Sequence, residues 1–137
     1  MAAEVTIYNP KGLGPPLGMY SHVARAKGVS ETIYIAGMLS VDESGRVVGE
    51  GDFEAQARQV YANVAAALKA EGLGWPSVTL FTTYLVHSSL IPRFMAFRER
   101  WFPEFFPTAA YPPNTLLMVD RLVREAFLIE VQTIAVR

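Results

Sequence analysis

The chain has 137 residues, of which 51% are hydrophobic and 18% are charged, and its formal net charge is −1. Low charge with high apolar content excludes intrinsic disorder, and the balanced charges exclude a strongly basic nucleic-acid binder. We expect one domain spanning residues 1–137, because a chain of this length seldom divides and can bury a sizeable core.

The sequence contains no cysteine, which excludes disulfides, thiolate nucleophiles and cysteine-ligated zinc. It has no apolar run near the ~18 residues of a membrane span, and its N-terminus lacks the pattern of a signal peptide. These features predict a cytoplasmic protein with no membrane partner. The mean hydropathy of +0.22 favours an oligomer, because subunits that associate cover apolar surface.

The first half of the chain predicts a Gly/Pro-rich loop, a strand, a hairpin turn, a second strand and a surface turn. In that order these elements occupy residues 11–18, 22–27, 28–31, 32–38 and 42–45. The clearest helix follows at 52–71, where apolar residues recur at spacings of three and four. Asp52 is its expected N-cap and Gly72 its expected C′ residue.

The second half predicts a strand, a second helix and two closing strands. In that order they occupy residues 78–86, Ser88 or Ser89 to 102, 115–119 and 127–135, with loops at 74–77, 107–113 and 121–125. Pro92 is tolerated in the first turn of the second helix, and Pro103 is expected to end it. The order predicts an α+β fold, with two helices packed on one face of a mixed β-sheet. We expect self-association to cover the other face.

The sequence has no P-loop, G-x-S-x-G, G-x-G-x-x-G or H-E-x-x-H motif, so candidate residues are identified by position. The two histidines, His22 and His87, lack metal-ligand spacing, so no metal site is predicted. We expect His87 to be solvent-facing or hydrogen-bonded. His22 follows the glycine-rich loop, where ligand sites often lie.

Glu130 is the most informative single residue. In an extended last strand it shares a face with Leu128, Gln132, Ile134 and Val136. A carboxylate among mostly apolar neighbours is costly to bury unless it is paired or functional. Desolvation would raise its pKa, which suits a general acid or a residue that positions water. The alternative is that Glu130 pairs with an arginine or lies at an edge.

Other polar and aromatic residues have both a ligand-binding and a packing interpretation. Asn114 either caps the turn after Pro113 or donates to a ligand, and Tyr20 either contacts a small ligand or packs in a core or interface. The aromatic residues at 94–106 are typical of packing, because basic residues do not interleave densely with them. Three arginines are expected on a solvated helix face: Arg93, Arg98 and Arg100.

Five short motifs occur in one order along nearly the whole chain. They are Gly18-Met19-Tyr20-Ser21, Ile35-Ala36-Gly37, Gln56-Ala57-Arg58-Gln59 with Asn63-Val64, Tyr111-Pro112-Pro113-Asn114-Thr115, and Ile129-Glu130-Val131 with Ile134-Ala135-Val136. Each is weak alone, but the ordered set resembles the RidA family, the reactive intermediate deaminases, also called the YjgF or L-PSP endoribonuclease-like family.

The resemblance implies a fold like Bacillus chorismate mutase and a homotrimer with ligand clefts between subunits. It also implies hydrolysis of enamines or imines, the reactive products of amino-acid-degrading enzymes, without a metal or a cofactor. Glu130 keeps the family's acidic position and would position water or shuttle a proton. The substrate-binding candidates are Asn114, Tyr20, Gly37, Thr115 and His22.

One departure from the family pattern bears on the substrate. Deaminating members carry an arginine at the position of Asn114, where it pairs with the substrate carboxylate. Its absence costs an anionic ligand ~2–4 kcal/mol in a dry cleft. Met19 and Met38 also replace a family proline and a family glutamine, and together the changes favour a less acidic, more apolar ligand.

Three functions follow from these observations. The first is a RidA-like small-molecule hydrolase, and the alternative is a trimer that binds a metabolite without catalysis. A ribonuclease is disfavoured, because the net charge is −1 and no basic stripe is present. The identity of the ligand does not follow from the residues.

Overall fold

The computed structural model describes residues 3–137, so the predicted span 1–137 includes two residues outside the described part. Six strands and two α-helices are present in the described residues. In chain order they are β1 Glu4–Tyr8, β2 Val23–Lys27, β3 Thr32–Met38, α1 Phe53–Ala70, β4 Val78–Leu85, α2 Ile91–Phe105, β5 Asn114–Met118 and β6 Ile129–Val136. Short 3-10 turns precede β4 and α2, at Trp75–Ser77 and Ser88–Leu90.

Four strands form the main sheet, in the order β3-β6-β4-β5. β6 runs antiparallel to both β3 and β4, whereas β4 and β5 are parallel, so the sheet is mixed. Along β6 every second residue is buried beneath the helices: Ile129, Val131, Thr133 and Ala135. The intervening residues Glu130 and Ile134 are half-buried and Gln132 is exposed, so the helices cover one face of the sheet. This confirms the predicted α+β architecture.

The predicted hairpin between β2 and β3 is wrong. β2 pairs instead with β1, a strand that the sequence pattern did not indicate, and the two form a separate antiparallel ribbon. β3 pairs instead with β6, and the C-terminal residue that follows β6, Arg137, hydrogen-bonds to the connection between β2 and β3. The backbone N–H groups of Ser30 and Glu31 donate to the Arg137 carbonyl at 2.7 and 2.9 Å. The Arg137 side chain also pairs with Glu31 at 3.3 Å.

Both predicted ends of α1 are confirmed. The Asp52 carboxylate accepts from the Ala55 backbone N–H at 3.1 Å, which satisfies one of the free donors of the first turn. Gly72 follows the helix with a φ of +70° and donates to the Lys69 carbonyl at 2.9 Å. That left-handed conformation is one that glycine adopts without strain.

The prediction that Pro103 ends the second helix is wrong, since α2 continues to Phe105. In the last turn a proline removes only one helical hydrogen bond, and packing compensates for it. Phe102 and Phe106 are both buried, and the Phe106 N–H donates to the Phe102 carbonyl at 2.7 Å. Aromatic burial therefore holds the turn that the proline weakens.

Aromatic side chains fill the space between the helices and the sheet. Tyr61 lies at the centre of this cluster, within 6.2 Å, centroid to centroid, of five rings: Trp75, Phe81, Phe97, Phe102 and Phe105. The packing interpretation of the aromatic residues of α2 is therefore confirmed. In residues 3–137 neither helix has the length and apolar character needed to cross a bilayer.

Candidate functional site

Glu130 and Gly37 lie against each other on the sheet face that the helices leave open. Between Ile35 and Met38 a β-bulge inserts one extra residue into β3 opposite β6. A methyl group built at Gly37 would lie 2.6 Å from Cδ and 2.8 Å from Cγ of Glu130. Only glycine leaves room for the carboxylate in this position.

The Glu130 carboxylate is half-buried, and desolvation raises its pKa above the ordinary value of a glutamate. Its neighbour across the sheet is Tyr84 of β4. Within residues 3–137 no arginine, lysine or histidine forms an ion pair with Glu130, so pairing with an arginine is not observed. A partly desolvated carboxyl group with a raised pKa can give up and recover a proton closer to neutral pH.

Helix α1 positions the strands that carry this pair. Buried Gln56 donates to the Ala126 carbonyl at 2.8 Å and accepts from the Leu128 N–H at 2.9 Å, just before Glu130 in the chain. Two turns further along the same side of α1, Asn63 donates to the Leu39 and Val41 carbonyls at 2.9 and 3.0 Å, just after Gly37. The polar residues of the third motif therefore tie both halves of the site to one helix.

Asn114 lies on the opposite side of the sheet from Glu130. It pairs in register with buried Phe81, and its side-chain oxygen accepts from the Thr83 hydroxyl at 2.7 Å beneath the helices. Thr115, the next residue, is exposed and faces the same side as Glu130, with β4 between them. One chain therefore does not bring Asn114 and Glu130 together.

Tyr20 and His22 form a second group, in the segment that leads into β2. Their rings are edge-to-face with centroids 6.2 Å apart, and the His22 backbone N–H donates to the Asn9 side chain at 2.8 Å. The His22 Nδ1 atom is buried without a hydrogen-bond partner among the described residues. No hydrogen bond joins Tyr20 or His22 to Glu130 in that part of the chain.

Arg98 does not lie on a solvated helix face, and that part of the sequence prediction is wrong. Its side chain is 3% exposed and stacks over the Phe94 ring at 4.4 Å. Arg98 is four residues from both Phe94 and Phe102, so all three share the buried face of α2. This spacing was the signal that could have identified it. Arg93 is exposed, and Arg100 pairs with Glu54 at the surface at 3.1 Å.

The remaining candidates have simple environments. His87 is hydrogen-bonded, as expected, because its Nδ1 atom accepts from the Ser89 N–H at 3.0 Å. In residues 3–137 no three histidine, aspartate or glutamate side chains converge as metal ligands. Two surface cavities of about 400 and 210 Å³ lie between α1 and α2, and none of the six candidate residues lines them.

Comparisons with known proteins place this geometry in a family. The family model described as Endoribonuclease L-PSP matches residues 13–137. The chain belongs to this family, whose members include the RidA and YjgF proteins. It is 30% identical over 122 residues to a RutC family protein of Synechocystis, with 88% of each chain covered.

Two further relatives extend the comparison. The chain is 29% identical over 117 residues to the 3-aminoacrylate deaminase RutC of Acinetobacter baylyi, covering 85% of this chain and 90% of that one. The crystal structure of YyfB from Yersinia pestis, a Rid family protein of unknown function, has a TM-score of 0.85 and 28% identity. It covers 97% of this chain and 98% of that chain. The RidA resemblance of the five motifs is thereby confirmed.

Proposed function

We propose that this protein is a small-molecule hydrolase that converts an enamine or imine into a carbonyl compound and ammonia. The observation that carries the proposal is the Glu130 carboxyl group, half-buried and without an ion-pair partner in the described residues, held over Gly37. Membership of the family, and similarity to a 3-aminoacrylate deaminase, support the same reaction class.

The chemistry uses Glu130 in both of its protonation states. The protonated carboxyl group donates a proton to the enamine carbon, or to the imine nitrogen, and makes the imine carbon electrophilic. The resulting carboxylate then accepts a proton from the water that attacks this carbon. Collapse of the carbinolamine releases ammonia and leaves the carbonyl product, so water is the only co-reactant.

The site is completed between subunits of a homotrimer. Asn114 and Thr115 lie on β5, the edge strand of the main sheet, whereas Glu130 lies on an inner strand and faces outward. Packing that open face against the β5 edge of a second copy would bring Thr115 and the first residue of that strand, Asn114, toward Glu130 of the other subunit. Gly37 and Thr115 would contact polar atoms of the ligand, and Tyr20 and His22 would approach from the loop before β2.

The test is ammonia release from freshly generated 3-aminoacrylate and 2-iminobutyrate by wild type, Glu130→Ala and Asn114→Arg. We expect wild-type turnover and a loss of about 100-fold or more in Glu130→Ala, the size of a general acid-base contribution. Asn114→Arg should lower KM for these anionic substrates by adding the missing charge. An inert wild type together with an active Asn114→Arg would contradict the proposed substrates, although the scaffold would be competent.

A metabolite-binding role without catalysis is the second candidate. Two features of Asn114 favour it: its neutral amide provides no positive charge for a substrate carboxylate, and its side-chain oxygen already accepts from the Thr83 hydroxyl at 2.7 Å. If all three proteins are inert, this role replaces the hydrolase. Ribonuclease activity is not proposed, since the net charge of −1 provides little attraction for a phosphate backbone.

A further inference from the structure

Arg98 is a charged side chain enclosed in the protein without a negative partner. It is 3% exposed, and no carboxylate forms a salt bridge with it among residues 3–137. Its Nη1 donates to the Met19 carbonyl over a long 3.4 Å, and its Nη2 contacts the Met95 sulfur at 3.0 Å. Sulfur is a weak acceptor, and the buried Nε has no partner in the described residues.

The surroundings of the guanidinium are apolar. The Phe94 ring lies 4.4 Å beneath it and the Phe102 ring 6.0 Å away. Stacking on aromatic rings offsets only part of the cost of removing a cation from water. A methionine would fill the same space at lower cost, so packing alone does not account for an arginine here.

The segment 17–20 covers Arg98. Gly18 lies so close that a methyl group there would be 2.8 Å from Nη2, and the Met19 carbonyl provides the long hydrogen bond. The Tyr20 hydroxyl accepts from the Leu17 backbone N–H at 3.2 Å, which leaves its own proton available to donate. Met19 also packs against the hydrophobic core, whereas the Leu17 side chain at the start of the segment is 85% exposed.

We propose that Arg98 is the recognition residue of a site for a small monocarboxylate, closed by the segment 17–20. When the segment lifts, two N–H groups of the guanidinium can donate to the two oxygens of one carboxylate. The Met19 carbonyl and the Met95 sulfur, its present partners, do not form such a paired contact. The Tyr20 hydroxyl supplies a further donor from the cover. A monoanion fits better than a phosphate, because one buried cation among aromatic rings neutralises one charge. The site shares Tyr20 with the hydrolase proposed above but does not include Glu130, and no catalytic step is assigned to it.

The test is a titration of the intact protein with propionate, its neutral analogue propionamide, and inorganic phosphate, followed by ¹⁵N NMR of the arginine Nε–H signals and by calorimetry. The variants are Arg98→Met, which keeps the apolar stem, Arg98→Lys, which keeps the charge without the fork, and Arg93→Met as a control at an exposed arginine of the same helix. Arg98→Met should fold, because it removes an unpaired buried charge, and thermal unfolding checks this.

We expect propionate to shift the Arg98 Nε–H signal of wild type and to bind at least about tenfold more tightly than propionamide. Arg98→Met should lose this binding, Arg98→Lys should weaken it, and Arg93→Met should leave it unchanged. No shift at tens of millimolar propionate, equal binding by Arg98→Met, or tighter binding of phosphate would each overturn the proposal. Imine turnover is measured separately, so carboxylate binding without turnover supports this site while contradicting the hydrolase.

Discussion

At the scale of single residues, one carboxyl group is partly desolvated and one guanidinium group is almost fully desolvated, those of Glu130 and Arg98. Glu130 was detectable from the sequence, because a carboxylate interrupts an otherwise apolar strand and alternation fixes which residues share its face. Arg98 was not detected, because a charged residue on a predicted helix is ordinarily solvated. Arg98 is nevertheless buried, because it lies four residues from both Phe94 and Phe102 and therefore shares the helix face that these aromatic residues bury.

Glu130 makes the stability of the fold depend on pH. Since its pKa is raised in the folded protein, the folded state binds this proton more tightly than the unfolded state. The resulting stabilisation is fully present below the ordinary glutamate pKa of about 4.3 and is lost as pH rises through the raised value. Glu130→Gln should remove this dependence.

Urea unfolding of wild type and Glu130→Gln across that pH window measures the difference directly. The free energy of unfolding of wild type should fall relative to that of the variant as pH rises. Glu43→Gln, in an exposed surface turn, controls for the loss of one negative charge. Parallel curves for wild type and Glu130→Gln would show that Glu130 is not desolvated in the folded protein.

At the scale of secondary-structure elements, the bulge in β3 and two amide side chains of α1 position the candidate site. The bulge between Ile35 and Met38 directs Gly37 toward Glu130, and Gln56 and Asn63 hold the adjoining segments of chain. The motifs containing these residues were visible in the sequence, but their common purpose was not. Their common role in positioning the site depends on hydrogen bonds between residues 22 to 72 positions apart in the chain.

Gly37→Ala tests the bulge. The new methyl group displaces the Glu130 side chain, which is half-exposed and can rotate away, so stability should fall by only about 1 kcal/mol. Turnover should fall by about a hundredfold, because a displacement on the order of 1 Å misplaces the reacting group. Steady-state kinetics and thermal unfolding measure the two effects.

The matched control for this substitution is Gly14→Ala, because a methyl group there meets no atom within 4 Å. It should leave both turnover and stability unchanged. Gly37→Ala with wild-type turnover would show that the approach of Gly37 to Glu130 has no role in the reaction.

Local periodicity predicted α1 and the four strands of the main sheet to within a few residues, because each pattern resides in the element itself. Strand pairing was harder to predict, because it depends on contacts between residues far apart in the chain. The pairing of β3 with β6 is accompanied by contacts of Arg137 with Ser30, 107 positions away in the chain. The last turn of α2 likewise depends on aromatic contacts that oppose the local effect of Pro103.

At the scale of the whole molecule, the open sheet face predicts the oligomer. Tyr34 is 75% exposed and Leu117 is 41% exposed, and the strand registers place both on the face that carries Glu130. Apolar side chains on a face without helices favour burial against another copy of the chain. The expected number of copies, three, is the one that the family resemblance implies.

Light scattering coupled to size-exclusion chromatography should give wild type a mass about three times that of the 15.1 kDa chain. Tyr34→Glu with Leu117→Glu should shift the mass to that of a single chain, because two charges would be buried without partners. Val123→Glu, at a position 71% exposed between β5 and β6, should keep the assembly. A monomeric wild type would contradict the cleft between subunits.

The ribbon of β1 and β2 shares no strand pairing with the main sheet in the described residues. Its backbone amides are therefore protected by a ladder of their own, which can break while the four-stranded sheet stays intact. Tyr20 and His22 lie in the connection between the two strands of this ribbon, just before β2. Opening of the ribbon would therefore free the connection that carries these two residues without unfolding the main sheet, so hydrogen exchange of the β1 and β2 amides should be faster than that of β4 and β6.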